Sequence, residues 1–229
     1  KESLSVDNRK RGNLKSLVSS FGIVLKNRRY VYYVLQMGFA MGVLFANISS
    51  SPFIVQQHYG FSAFEFSLFF GINALAIGLA AGLSVKFKNP EHAMFLGSVG
   101  MTMMSAVEFV ILSNEYHFAV YEAVLFVLLF SMGLTFTAST TLAMDCERAN
   151  SGTASALFGA AGFAFGGIVS PLVGLGDILS TTGLIFFVCS VCSLCFSVLA
   201  MNQTHTNLWG SFKCKMGPVT RFVFLRREK

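Results

Sequence analysis

Residues 123–134 read AVLFVLLFSMGL. As a helix this stretch makes about three turns, and none of its faces carries a charged or strongly polar stripe. Such a helix belongs either at the centre of a large soluble core or in a membrane. Its surroundings decide between the two. The chain has 229 residues, of which 54% are hydrophobic and only 12% charged, and Phe alone occurs 25 times. Mean hydropathy is +0.63. A soluble domain of this size needs far more charge to cover its surface.

The apolar residues fall into blocks of about 20, the length that crosses roughly 30 Å of hydrocarbon as a helix. These blocks are 30–51, 63–85, 91–113, 118–143, 152–174 and 178–201. The expected fold is an all-α membrane protein with six transmembrane helices. Start signals agree with several blocks. Ser62-Ala-Phe-Glu65 has the spacing of a capping box, Asn89-Pro90 offers a cap and a first-turn proline, and Asp177 can cap the sixth block. Pro52 is expected to end the first helix.

Charge position gives the orientation. All 17 Lys and Arg lie before the first block, after the second (Lys86, Lys88), after the fourth (Arg148) or after the sixth. The three intervening connections hold none. The positive-inside rule then places both termini in the cytosol, which requires an even number of spans. The net charge of +6 is thus a topology signal and does not point to nucleic acid. The expected organisation is a cytosolic linker at 1–29, a six-helix bundle at 30–201 and a basic cytosolic tail at 202–229. In the linker, Leu14, Leu17, Val18, Phe21, Val24 and Leu25 recur at helical spacing, as in an interfacial amphipathic helix; a flexible linker is the alternative. Residues 1–13 are expected to be disordered. No secretory signal opens the chain, and Lys1 in place of Met suggests a processed or incomplete chain.

The first three helices resemble the last three in composition. The second and fifth are rich in Gly and Ala and carry Gly78-xxx-Gly82 and Gly162-xxx-Gly166, spacings that allow close backbone packing. The third and sixth are bulkier. The first and fourth each end in a polar cluster, NISSS at 47–51 and TFTASTT at 135–141. The first runs outward and the fourth inward, so the clusters lie near opposite faces. This is the pattern of two inverted three-helix repeats.

Polar groups in such helices either bond carbonyls one turn back or line a path. Gln36, Asn47, Ser51, Asn73, Thr137 and Thr141 are the path-lining candidates. Glu108 and Glu122 are acids inside apolar blocks, suited to proton handling or to the outer interface. Asp145, Glu147 and Arg148 could close an inner gate or sit in a solvated loop. Cys189-x-x-Cys192-x-x-Cys195 lies among Phe, Val and Leu with no nearby His or carboxylate, so it reads as packing and no metal is expected. No nucleophile elbow, phosphate loop or His-Glu-x-x-His occurs, and no enzymatic activity is expected.

Two segments, NRRYVYYVLQMGFAMGVLFANISSSPFIVQQHYGFSAFEFSLFFGINALAIGL (27–79) and SGTASALFGAAGFAFGGIVSPLVGL (151–175), closely resemble the Bcr/CflA drug-resistance transporters of the major facilitator superfamily. The resemblance runs from about Asn8 to Met201. It implies a proton-coupled exporter of amphiphilic small molecules in a bacterial cytoplasmic membrane, driven by the proton gradient with no bound cofactor. It further implies that this chain is the seventh to twelfth helices of a twelve-helix whole. The partners are then membrane lipid, an amphiphilic substrate and a missing N-terminal six-helix half. The family's first-half proton-coupling acid has no counterpart here, and the loop SVKFKNPEH (84–92) is shorter in basic residues than the family pattern. The alternative is a non-transporting half-size membrane protein or remnant that needs a partner half.

Overall fold

A computed structural model describes residues 14–215, with side chains from 19 to 203. The expectations for residues 1–13 and 216–229, and for the side chains of Leu14, Leu17 and Val18, lie outside the described residues. Seven α-helices follow in order: α1 (Leu14–Lys26), α2 (Arg28–Ser51), α3 (Ala63–Ser84), α4 (Pro90–Ser113), α5 (Phe118–Cys146), α6 (Ser151–Leu172) and α7 (Ile178–Lys215). Six of them, α2 to α7, are long and apolar enough to span a membrane. The chain is a multi-pass membrane protein.

Local chemistry sets the helix starts. Asn27 caps α2 by accepting from the Tyr30 amide at 3.3 Å. Ser62 and Glu65 form the full capping box of α3, with the Ser62 amide donating to Glu65 at 2.8 Å. Asn89 occupies the cap position of α4 without a side-chain cap bond, leaving Pro90 to preset the first turn. Asp177 caps α7, accepting from the Ser180 amide at 2.9 Å. Two boundaries differ from expectation. Pro52 does not end the first span. The chain continues through Pro52–His58 in wider π-type turns. Proline lacks the N–H that would bond one turn back, so the ordinary ladder is broken there, and five-residue spacing resumes it, as in the 3.0 Å bond from Tyr59 N to Ile54 O. Gly60, at φ 76°, then reverses the chain toward α3. At the other end, α7 runs on to Lys215, so the tail expected from 202 begins as helix.

The helix pairing has a twofold pattern. α2 packs on α6 and α7, and α5 packs on α3 and α4; α2 also meets α5, and α4 meets α7. Exchanging α2 with α5, α3 with α6 and α4 with α7 leaves these principal pairings unchanged. This is the arrangement of two inverted three-helix repeats. It brings the ends bearing Arg29, Glu91, Glu147 and Ala154 together at one face of the bundle, called here the basic end.

The core consists of two apolar clusters. One, near the basic end, is built on Tyr30, Tyr33, Met37, Met94, Ala143 and Phe158. The other, toward the far end, is built on Val43, Ile54, Leu112, Tyr121, Leu128 and Phe186. A polar layer separates them. Within it, Thr102 donates to the Ser190 carbonyl at 3.1 Å, tying α4 to α7. Thr135 donates to the Met94 carbonyl at 3.4 Å, tying α5 to α4.

Close approach depends on glycines that the spacing motif does not single out. A Cβ on Gly97 of α4 would lie 2.7 Å from the Ser131 carbonyl oxygen of α5, and one on Gly133 of α5 would lie 2.7 Å from the Ile77 carbonyl oxygen of α3. By contrast, Gly78 and Gly82 are exposed and have nothing within 4 Å of an added Cβ, so their expected packing does not occur among the described residues. α3 turns Ala76, Ala80 and Ser84 inward instead, and presents these glycines on its open face. Gly162 sits against Met37, and Gly166 against the Phe45 ring, both on α2.

Candidate functional site

The far end of the bundle gathers five of the polar candidates: Asn47, Ser51, Asn73, Glu108 and Glu122. Asn47 and Ser51 on α2 are buried. The Ser51 hydroxyl donates to the Asn47 carbonyl at 2.6 Å and lies 2.9 Å from the Asn47 side-chain oxygen. The cluster just before Pro52 is therefore bonded within its own helix, one turn apart. Ser49 reaches outside it, donating to Ser170 of α6 at 2.8 Å.

Across from this cluster, Asn73 of α3 donates to Glu122 of α5 at 2.9 Å. Both residues, with Ser51 and Tyr121, line a void of about 10 Å³ walled by Phe66, Phe69 and Phe70. A space of that size holds about one water molecule. Glu108 of α4 lies behind. It is 0% exposed, and neither carboxyl oxygen has a hydrogen-bond partner. The expected reach of Glu108 to an outer interface therefore does not occur. Its side of α4 is turned into the bundle, in which α5 and α7 both pack against that helix. Glu122 is partly exposed. Sequence reasoning found both acids and Asn73, and missed Tyr121, whose aromatic ring reads as ordinary core.

Gln36 has a different placement from the expected path lining. It is 0% exposed and joins three helices. Its amide nitrogen donates to Ser193 of α7 at 3.1 Å, its carbonyl accepts from Ser139 of α5, and Ser193 is also 3.1 Å from the Gln36 backbone carbonyl. With both polar atoms satisfied inside the bundle, this side chain is a tie and borders no opening. Thr137 is half-buried and Thr141 exposed, and the Thr141 hydroxyl donates to the Thr137 carbonyl at 3.0 Å.

At the basic end, Arg148 pairs with Asp145 at 2.9 Å in a local, largely exposed bridge. Glu147 accepts from Asn27 at 2.7 Å, linking α5 to the start of α2. The stronger tie at this end was not legible in the sequence. Arg29 of α2 bridges Glu91 of α4 at 2.9 Å with little exposure on either side, and it also donates to the Tyr33 hydroxyl at 3.2 Å. Tyr30 donates to the Ala154 carbonyl at 2.6 Å, fastening α6. Positive-inside counting assigns Arg29 a side of the membrane but no partner.

Among the described residues, no three His, Cys, Asp or Glu converge as metal ligands. Cys189 is buried and Cys195 exposed, and both are free thiols. What the arrangement can do is hold polar groups inside a bundle whose two peripheral helices, α3 and α6, are each covered on one side only. Only 17% of the apolar window of α3 is buried, against 56% for α2 with its π-type extension. Large apolar side chains such as Phe64, Leu75, Leu79, Phe163 and Ile168 stay exposed.

Comparison with known proteins agrees with this architecture. Residues 2–171 match the family model described as Major Facilitator Superfamily. The chain is 34% identical over 212 residues to YdgK of Bacillus subtilis (strain 168), described as an uncharacterized MFS-type transporter. That match covers 90% of this chain and 53% of the relative, so the chain spans about half the length of the curated relative it matches. With six spans in two inverted triplets and a family match across most of its length, the chain belongs to the major facilitator superfamily.

Proposed function

We propose that this chain is the C-terminal half of a twelve-helix, proton-coupled efflux transporter that exports amphiphilic small molecules by alternating access. Transport in general rests on family membership. The finer reading rests on the resemblance of 27–79 and 151–175 to the Bcr/CflA transporters. The observation that carries the half-transporter reading is the one-sided burial of α3 and α6. Their open faces suit a second six-helix half with a path between the two. In this reading Asn47, Ser51, Asn73, Thr137 and Thr141 lie on or beside the path. Asp145, Glu147 and Arg148 belong to its cytosolic gate. Both termini face the cytosol of a bacterium, residues 1–29 are a linker from the first half, and the chain beyond α7 is a basic tail.

The test is to express the chain in drug-hypersensitive bacteria, alone and together with a six-helix N-terminal half, and to follow efflux of ethidium. Efflux is expected only from the pair and should stop when a protonophore collapses the gradient. Robust efflux from the 229-residue chain alone would refute the half-transporter reading. No efflux from any pairing, with no in-frame six-helix segment upstream, would favour a non-transporting half-size protein.

A further inference from the structure

We propose that the cavity between the π-type extension of α2 and the start of α7 holds the headgroup of one aminophospholipid, with its ammonium on Asp177 and its phosphate on Gln57 and His58. The proposal concerns this chain alone and does not depend on transport.

The cavity has a volume of about 420 Å³. A single ion or water would leave it nearly empty, since a water takes up about 30 Å³. Sites for small organic molecules run from about 300 to 1,000 Å³. The floor is apolar, with Ile54 and Leu179 buried, and Phe53 stands at one side. The polar lining side chains are Gln57, His58 and Asp177, all exposed. The broken ladder at Pro52 creates this arrangement. The widened turns of Pro52–His58 carry Gln57 and His58 past the end of α2 and against α7. Tyr59 meets the His58 ring edge-on at 4.7 Å between centroids, and His58 acts electrostatically on Asp177.

The three polar groups match a zwitterion. Asp177 brings a carboxylate that the bonds from Ser180 hold below its ordinary value, so it is charged at neutral pH. Gln57 and His58 bring N–H donors. None of the 17 Lys and Arg lies in the three connections at this end, so a purely anionic headgroup would face Asp177 without a counter-charge. A purely cationic ligand would leave the two donors unmatched. A primary ammonium linked to a phosphate answers all three. The quaternary ammonium of choline cannot donate to a carboxylate and is held by aromatic cages, whereas the lining has one phenyl ring, Phe53.

The position points to a lipid over a free solute. Three spans end at this cavity: the one through His58, the one ending at Leu175 and the one beginning at Ile178. α2 alone, with 24 residues, measures about 36 Å and already exceeds the roughly 30 Å of hydrocarbon. The extension beyond it therefore lies at the depth of the headgroups. The segments leading to the cavity carry exposed apolar side chains, Ile48 and Phe53 on one and Leu172 and Leu175 on the other. These suit the acyl chains of a lipid whose headgroup is seated above them.

Native mass spectrometry of the full chain reads the preference. The chain is released from micelles holding equal amounts of phosphatidylethanolamine, phosphatidylcholine and phosphatidylglycerol. Phosphatidylethanolamine should dominate the species that carries one lipid. Asp177→Asn keeps a capping oxygen and removes the charge, and it should lower the retained phosphatidylethanolamine about tenfold. Gln57→Ala and His58→Ala should each lower it by a smaller factor and leave retained phosphatidylcholine unchanged. Hydrogen exchange in nanodiscs locates the lipid: replacing phosphatidylcholine by phosphatidylethanolamine should slow exchange at 53–59 and 176–181 and leave the basic end unchanged. Free phosphoethanolamine, which has no acyl chains, should not displace the lipid at equal concentration. Displacement by it overturns the lipid as occupant. Equal retention of the three lipids by the wild type, or a preference for phosphatidylglycerol, overturns the proposal without any variant. So does a phosphatidylethanolamine preference that survives Asp177→Asn.

Discussion

Gly97→Ala and Gly78→Ala make the same chemical change in the interiors of two membrane helices, and the structure assigns them opposite signs. At Gly97 the added methyl would meet the Ser131 carbonyl oxygen at 2.7 Å and the Thr135 amide nitrogen at 2.8 Å. Both are backbone atoms of α5 and cannot rotate away. Restoring ordinary contact near 3.4 Å requires α4 and α5 to separate by about 0.7 Å. A gap of that order forfeits roughly a quarter to a half of the dispersion energy along the seam, and it stretches the bond from Thr135 to Met94 that is already 3.4 Å long. Overpacking of this kind costs about 1–3 kcal/mol, while alanine's better helix propensity returns about 1 kcal/mol. The net expectation is a loss of up to about 2 kcal/mol. At Gly78 nothing lies within 4 Å, so only the propensity gain of about 1 kcal/mol remains. Equilibrium unfolding of the chain in mixed micelles with rising SDS should show Gly97→Ala unfolding earlier and Gly78→Ala unfolding no earlier than wild type. An equal loss at Gly78 refutes the placement of α3. If the proposed second half covers α3, Gly78→Ala should become destabilising only when that half is present.

Other outcomes follow from the polar ties. Gln36→Leu removes the side-chain ties to Ser139 and Ser193, whose hydroxyls keep only the Thr135 and residue-36 backbone carbonyls, and should cost about 1 kcal/mol in the same unfolding assay. In double-mutant cycles to Ala, Arg29 and Glu91 should couple by about 1 kcal/mol or more because the pair is shielded. Arg148 and Asp145, far more exposed, should couple by about 0.5 kcal/mol or less, and that coupling should fade with salt. The bonds from Ser180 hold the Asp177 carboxyl below its ordinary value. A lowered carboxyl stabilises the fold above its unfolded value and loses that contribution as pH falls through the folded one. The stability gap between wild type and Asp177→Ala should therefore be full at pH 6 and narrow below about pH 4.

The span count was legible because crossing a bilayer is a matter of length and composition, both visible in one sequence. The caps at Ser62 and Asp177 were legible for a similar reason: their bonds lie within three residues. What failed to show was rotation. α4 is apolar nearly all round, and no periodic stripe says which way Glu108 points. The same uncertainty misled the reading of Gly78 and Gly82, whose spacing is right but whose face is open, while Gly97 and Gly133, in no such motif, make the tight contacts. Pro52 was read by its local rule, and a rule about four-residue bonds does not foresee that the chain can widen its turns and go on. Arg29 found Glu91 across 62 residues of sequence, a distance no pattern covers.

The twofold pairing has a consequence for the order of events during synthesis. Each principal pairing, α2 with α6 and α7, α3 and α4 with α5, α2 with α5 and α4 with α7, joins a helix of one triplet to a helix of the other. A ribosome that has released α2, α3 and α4 has placed in the bilayer three spans whose main tie to one another is the single ion pair from Arg29 to Glu91. They must wait, as separate helices in lipid, until α5 arrives to collect α3 and α4 and α7 arrives to close on α2. The bundle is thus knitted together late, and until α5 arrives α2 and α4 share little more than the Arg29–Glu91 bridge.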